Sequence, residues 1–148
     1  MARFVFRLRP VLELREREEK DRMRIVADLE SRRARIESQI RGCQDRIVEG
    51  RREVAGALSG GSVDLGAARL GSAATLRHDQ EARRSVLELA GVMQQLERAR
   101  AELVRAATAR RAIELLRDRA HERFLDEENR RESAAMDDLM VMRRASLD

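Results

Sequence analysis

The chain has 148 residues, a length typical of one domain, but with no Trp, no Tyr and only three Phe it cannot build a compact core on large aromatic side chains. Charged residues make up 39% of the chain and hydrophobic residues 43%, a composition that is typical of long helices and coiled coils. The 31 basic and 27 acidic residues leave a formal net charge of only +4, so charges of both signs interleave, which favours helical order over disorder.

Between Leu8 and Val54, apolar residues recur at alternating spacings of three and four, which is the heptad pattern of a coiled coil. Pro10 lies where a helix tolerates proline, because its fixed φ suits the first turn and its missing N–H has no partner there. The pattern predicts a first long helix over about residues 9–57. Its interhelical face, the first seam, comprises Leu8, Leu12, Arg15, Glu19, Arg22, Val26, Leu29, Arg33, Ile36, Ile40, Cys43, Ile47, Gly50 and Val54.

A cluster of glycines then predicts a break in the helical pattern. Five of the eight glycines fall in this short stretch, namely Gly56, Gly60, Gly61, Gly66 and Gly71. We expect a flexible corner at about residues 58–72. Within it, residues 62–70 could form one short helix, although their glycine content disfavours it.

The heptad pattern resumes after the corner and predicts a second long helix over about residues 73–145. Ser72 or Thr75 can cap its start, and no proline interrupts it. The second seam comprises Leu89, Val92, Leu96, Ala99, Leu103, Ala106, Arg110, Ile113, Arg117, Ala120, Phe124, Glu127, Arg131, Ala134, Asp138 and Val141.

Two amphipathic helices joined by a corner bury their seams against each other. The predicted fold class is therefore all-α, a long antiparallel two-stranded coiled-coil hairpin with a glycine-rich corner, and residues 1–148 form a single domain. At 1.5 Å per residue, the first helix is roughly 73 Å long and the second up to roughly 110 Å. One end therefore overhangs, or the start of the second helix packs around the corner.

Both seams become polar towards the free ends of the hairpin. Such ends are either weakly held and exchange contacts with another protein, or their Arg and Glu side chains lay aliphatic stems over the seam and pair across it. The polar positions are Arg15, Glu19, Arg22, Arg117, Glu127, Arg131 and Asp138.

The sequence lacks the residues of a catalytic, cofactor-binding or metal-binding site. His78 and His121 are isolated, Gly60-Gly61 lacks the rest of a phosphate-binding loop, and Cys43 at a seam position is interpreted as a small packed hydrophobe. We predict a protein that is not an enzyme, with no cofactor and no small-molecule substrate. A single cysteine and the lack of a long apolar run favour a cytoplasmic location.

Motifs at the two ends of the chain resemble those of one known family. The chain opens with Phe4-x-Phe6-x-Leu8-x-x-Val11-Leu12-x-x-Arg15-x-x-Glu18 and closes with Glu128-x-Arg130-x-x-x-x-x-Met136-Asp137-Asp138. In a charged hairpin of this size, this pair of motifs resembles the FliJ family of flagellar type III export stalk proteins. In place of the Gln-Lys that often precedes the terminal triplet in that family, this chain has Ser133-Ala134-Ala135.

The resemblance implies a stalk that inserts in the ring of the hexameric export ATPase (FliI-like), promotes its hexamer and its activity, and links it to the export gate protein (FlhA-like) and to export chaperones. It implies a cytoplasmic protein peripherally associated with the export apparatus of the inner membrane. The implied ATPase-binding residues are Phe4, Phe6, Leu12, Arg15, Glu18, Glu128, Arg130, Met136, Asp137 and Asp138. The implied gate-binding residues, where the family motif is not clearly matched, are Leu70, Ala74, Leu76 and His78.

Two other interpretations belong beside this one. The chain could be the equivalent stalk of a virulence-type secretion system. The Phe4-x-Phe6 opening favours the flagellar system over the virulence-type one. It could instead be a basic coiled coil that binds nucleic acid or an anionic surface, since its pI is about 10.6. The intermixed acidic residues argue against nucleic acid, for which a one-sided arginine stripe is expected.

Overall fold

A computed structural model describes residues 3–59 and 61–145, so Gly60 of the predicted corner lies outside the described residues, as does the side chain of Val141 in the second seam. Two helices account for nearly all of this part of the chain: α1 (Arg9–Ser59) and α2 (Leu65–Ala145). The described residues contain no strand, and the helices pack against each other as an all-α hairpin. The predicted fold class is confirmed. Within the described ranges, neither helix contains a stretch long and apolar enough to cross a membrane.

The corner between the helices is shorter than the expected 58–72, because α2 begins at Leu65 and not near residue 73. Asp64 caps this start: its Oδ1 accepts a hydrogen bond from the backbone N–H of Ala67 at 2.9 Å. Ser72 and Thr75, the predicted caps, lie inside the helix and donate their hydroxyls to carbonyls one turn earlier. The short helix considered over residues 62–70 does not form as a separate element, because residues 65–70 belong to the first turns of α2 and residues 62–64 precede it.

Two compact units make up the packed helices. One combines the chain up to Asp21 with the chain from Val104 onwards, and the other spans Arg22–Leu103. We call them the terminal unit and the central unit. Whether residues 1–148 behave as a single domain stays a prediction.

The central unit pairs α1 and α2 in antiparallel order. In the contacts between the helices, residue numbers on α2 decrease as those on α1 increase. The pairs run from Glu30 with Arg100, through Arg32 with Glu88, to Cys43 with Glu81. The buried apolar side chains lie at the predicted seam positions, with one addition near the corner, Ala68. They are Ile36, Cys43, Ala68, Val92 and Leu96. The heptad spacing therefore extends back through the first turns of α2, which explains why those turns are helical.

Two glycines lie where the helices of the central unit approach each other closely. A Cβ placed on Gly71 would lie 2.8 Å from Val54 Cγ2, and one on Gly50 would lie 2.5 Å from Thr75 Oγ1. Neither position has room for a side chain unless its neighbours move. We call this pair the glycine contact. Of the two, Gly71 lies in the corner that the sequence predicts to be flexible and Gly50 lies in the predicted first seam, and both small residues serve packing.

The terminal unit is packed less deeply than the central unit. Its buried side chains are Leu12 and Glu19, and Phe4 covers Phe124 of α2 at a ring-centroid distance of 5.6 Å. Beyond Glu128, residues 129–140 are all exposed, as is Met142. The end of α2 therefore overhangs within this unit, over about 20 Å from Asn129 to Met142 at 1.5 Å per residue.

Candidate functional site

The residues before α1 form a non-helical strap, residues 3–8, that lies on α2 in the terminal unit. Phe4 and Phe6 are half-buried, whereas Arg3, Val5 and Arg7 are exposed. The alternation shows that one side of the strap faces α2 and the other faces solvent. The strap ends in a turn in which the backbone N–H of Arg9 donates to the carbonyl of Phe6 at 3.1 Å.

Aromatic contacts hold the strap in place. The Phe4 ring meets His121 edge-on, with centroids 5.0 Å apart and an interplanar angle of 77°, and also contacts Phe124. Edge-to-face pairs of this kind add roughly 0.5–1.5 kcal/mol beyond the area they bury. His121, which the sequence analysis treated as isolated, is therefore an anchor for the strap. Only a long-range contact reveals this role, and the sequence gives no local signal of it.

An apolar groove opens beside the strap, with a volume of about 450 Å³. Strap residues form one wall and α2 forms the other. The lining residues are Phe4, Val5, Phe6, Arg7, Leu8, Leu116, Ala120, Arg123 and Phe124. We call this the strap groove. It contains two of the predicted ATPase-binding residues, Phe4 and Phe6.

A cluster of charged side chains crosses the seam of the terminal unit. The buried Glu19 of α1 accepts a hydrogen bond from the guanidinium of Arg110, which also contacts Glu114, and Arg111 contacts Glu114 at 3.2 Å. We call these four residues the polar layer. Of the two interpretations of the polar seam, pairing across the seam holds at Glu19 and Arg110.

Electrostatics in the polar layer favours the charged forms. The hydrogen bond from Arg111 and the nearby charge of Arg110 lower the pKa of Glu114 despite its partial desolvation. The hydrogen bond to Glu19 likewise raises the pKa of Arg110. No buried side-chain nitrogen or oxygen of the described residues lacks a hydrogen-bond partner. The layer is therefore a satisfied polar element of the coiled coil.

The predicted ATPase-binding residues of α1 differ in accessibility. Leu12 is only 6% exposed and belongs to the core, so it supports the surface from beneath. Arg15 and Glu18 are partly exposed and pair with each other at 2.8 Å within the helix. They leave their charged groups available at the helix surface.

The closing motif lies mostly on the overhanging end of α2. Glu128 pairs with Arg131 at 3.3 Å, while Arg130 and the Met136-Asp137-Asp138 triplet are exposed. Twelve helical residues separate Phe124, where the strap packs, from Met136, a distance of about 18 Å. The structure therefore brings the opening motif next to His121 and Phe124 but not next to the terminal triplet.

The predicted gate-binding residues lie on two turns of α2 in the central unit. Leu70 and Leu76 are 73% and 59% exposed, and Ala74 and His78 are half-buried. Leu76 lines one groove with Thr75 and Asp79, whereas Ala74 and His78 line another, where His78 Nδ1 lies 3.4 Å from Glu81 Oε2. The four residues therefore do not share a single surface groove.

Metal-binding groups and the single cysteine are the other candidates for a site. Within the described part of the chain, no group of three His, Cys, Asp or Glu side chains could hold a metal ion. Cys43 is 1% exposed and packs in the seam of the central unit, with its Sγ 3.8 Å from Glu81. What the molecule presents to solvent is arginines, carboxylates and apolar grooves on rigid helices.

Comparison with known proteins identifies one family. The family model described as "Flagellar FliJ protein" matches residues 4–146. The match spans both candidate motifs and the corner between the helices. Searches of curated proteins and of solved structures give no match.

Proposed function

The chain belongs to the FliJ family of flagellar proteins, and from this premise we propose that it is the coiled-coil stalk of the flagellar export apparatus. In this role its terminal unit inserts in the ring of the hexameric export ATPase and promotes the hexamer and its activity. The stalk is cytoplasmic, is not itself an enzyme, and associates peripherally with the export apparatus at the membrane. The family match over residues 4–146 is the observation that carries the proposal.

The terminal unit has three properties that suit a ring-binding end. Its strap is anchored on α2 through Phe4, its polar layer fixes the pairing of α1 with α2, and its α2 end projects beyond the packed part. A projecting helix with exposed arginines and carboxylates can enter a pore and make many weak, reversible contacts. Such contacts allow the stalk to turn or to slip, which a tight apolar anchor would prevent.

The central unit offers separate surfaces for the remaining partners. We assign the export gate to the exposed turns of α2 around Leu70 and Leu76, and Ala74 and His78 contribute the neighbouring face. Export chaperones then compete for, or share, the outer faces of the same helices. Because these surfaces and the strap groove belong to different units, changes at one should leave the other intact.

Charge reversal at the terminal unit tests the ATPase contact. Arg15→Glu with Arg130→Glu should weaken binding to the export ATPase, reduce its stimulation and impair motility. Helicity should be retained, because exposed charges seldom alter stability by more than about 0.5 kcal/mol. Binding is measured by titration with the purified ATPase, activity by phosphate release and folding by circular dichroism.

The matched control carries the same charge change on the central unit: Arg41→Glu with Arg98→Glu, two exposed positions. It should bind and stimulate the ATPase as the unchanged protein does. Full stimulation and normal export by the Arg15 and Arg130 variant would refute the assignment of the ATPase contact to this end. A loss of the same size in both variants would indicate nonspecific charge attraction.

A further inference from the structure

The strap groove differs chemically from three grooves on the central unit. Those three grooves combine arginines with one carboxylate each, supplied by Asp79, Glu81 and Asp45. The strap groove has seven apolar lining residues, two arginines and no acidic residue. In a chain with 27 acidic residues, this is a local excess of positive charge over an apolar floor.

The two arginines at this groove are not neutralised by the chain itself. Arg7 has no ion-pair partner among the described residues, and the Nε of Arg123 donates to the backbone carbonyl of Arg119 at 3.2 Å, which is not a carboxylate. Nearby arginines behave differently, since Arg9 pairs with Glu13 and Arg131 pairs with Glu127. Two guanidinium groups therefore remain available to an incoming anionic group.

The floor and walls of the groove are preformed. Phe4 is held against His121 and Phe124 by the ring contacts, and Leu116 and Ala120 lie on the rigid α2. Val5 and Leu8 leave 75% and 40% of their surfaces exposed at its edge. A volume of about 450 Å³ lies within the range of ~300–1,000 Å³ that is typical of binding clefts. The site can take up apolar side chains without first being assembled.

We propose that the strap groove binds an acidic amphipathic segment of a partner protein, with apolar side chains on the floor and flanking carboxylates on Arg7 and Arg123. This inference rests on the proposed function only in that the groove lies at the end assigned to the ATPase. Paired guanidinium and carboxylate groups orient such a segment, and the apolar floor supplies the buried contact. A segment without carboxylates leaves the two arginines unpaired, and a segment without apolar side chains leaves the apolar floor uncovered.

A synthetic peptide tests the groove without any natural partner. The probe is a short fluorescent helix-forming peptide whose leucines are flanked by glutamates. Two matched peptides replace the glutamates by glutamines or the leucines by serines. Titration of the full chain should show binding of the first peptide and weaker binding, by about tenfold or more, of either matched peptide, because charge and apolar contacts act together.

Two double variants then assign the binding to the groove. Arg7→Glu with Arg123→Glu should weaken the acidic peptide by about tenfold or more, while Arg35→Glu with Arg41→Glu, the same charge change on the central unit, should leave it unchanged. Circular dichroism checks that both variants fold. Equal binding by all three proteins, or equal binding of all three peptides, would overturn the proposal.

Vesicles containing anionic lipid separate a second source of negative charge. If the chain binds these vesicles through Arg7 and Arg123 but does not bind the acidic peptide, the groove recognises a membrane surface and the proposal is wrong. The ATPase titration is scored independently. ATPase binding without peptide binding contradicts only the proposal that the strap groove binds an acidic segment. Peptide binding without ATPase binding contradicts the proposed function and leaves the assignment of the groove unchanged.

Discussion

Individual side chains of the polar layer decide how the terminal unit responds to pH. Glu114 has a lowered pKa because Arg111 and Arg110 stabilise its charged form. A carboxylate with a lowered folded-state pKa stabilises the fold above its unfolded pKa, and this contribution disappears as the pH falls through the folded value. The relevant window therefore lies below the ordinary glutamate value of 4.5.

We accordingly expect Glu114→Gln to lower the melting temperature near pH 7 and to lower it less as the pH is brought below about 4.5. Melting curves by circular dichroism across this range provide the measurement. Glu122→Gln is the control, because the exposed Glu122 has no ion-pair partner among the described residues. A melting-temperature difference for Glu114→Gln that stays constant from neutral to acidic pH would show that its ion pairs do not stabilise the fold.

At the residue scale, sequence reasoning located the polar positions but not their pairing. Heptad spacing predicted Glu19 and Arg110 in the two seams, and the structure joins them. These two residues are 91 positions apart in sequence, so their pairing depends on how the two helices are shifted along each other. Local periodicity carries no information on that shift. For the same reason the contact of Phe4 with His121 could not be predicted.

At the scale of elements, the start of α2 shows how glycine misleads a sequence-based prediction. Glycine costs a helix about 1 kcal/mol relative to alanine, so Gly66 and Gly71 indicated a corner. At Gly71 the missing side chain instead permits the approach of Val54, and the packing this allows offsets the lost propensity. Asp64, a favourable capping residue, carried the local signal for the true helix start.

The glycine contact gives an element-scale prediction in which one substitution has opposite signs at two sites. Gly71→Leu should destabilise the hairpin by about 1–3 kcal/mol, because the new side chain overlaps Val54 and forces the helices apart. Gly91→Leu should leave stability unchanged or raise it by up to about 1 kcal/mol, since no atom lies within 4 Å of a Cβ at that position and leucine favours the helix.

Urea unfolding of both variants supplies the comparison, with the free energy of unfolding taken from the linear dependence on denaturant. Equal stability changes at Gly71 and Gly91 would mean that helix propensity alone acts, and that the glycine contact contributes nothing to packing. The seams themselves were predictable at this scale, because burial at Ile36, Val92 and Leu96 follows directly from heptad spacing.

For the whole molecule, composition and periodicity were sufficient to predict two long helices, whereas their antiparallel order was inferred from the corner between them. A hairpin within one chain and an extended dimer of two chains bury the same seams. The hairpin makes a specific contact within one chain: Nη2 of Arg32 lies 2.7 Å from Oε1 of Glu88, a residue far away in sequence. This contact provides a way to distinguish the two arrangements.

In a Cys43→Ala background, Arg32→Cys with Glu88→Cys should therefore be crosslinked by a short bismaleimide within a single chain, even at high dilution. The control pair, Arg32→Cys with Arg69→Cys, places the second thiol 19 residues away from residue 88 on the same helix, about 28 Å along its axis. It should not be crosslinked within the chain.

Denaturing electrophoresis and mass spectrometry of peptides separate products within a chain from products between chains. If the first pair yields only products between chains, and their yield falls on dilution, the helices pair between molecules and the hairpin is wrong. If the control pair reacts as efficiently as the first, the seam contacts of the central unit do not fix the register of the two helices.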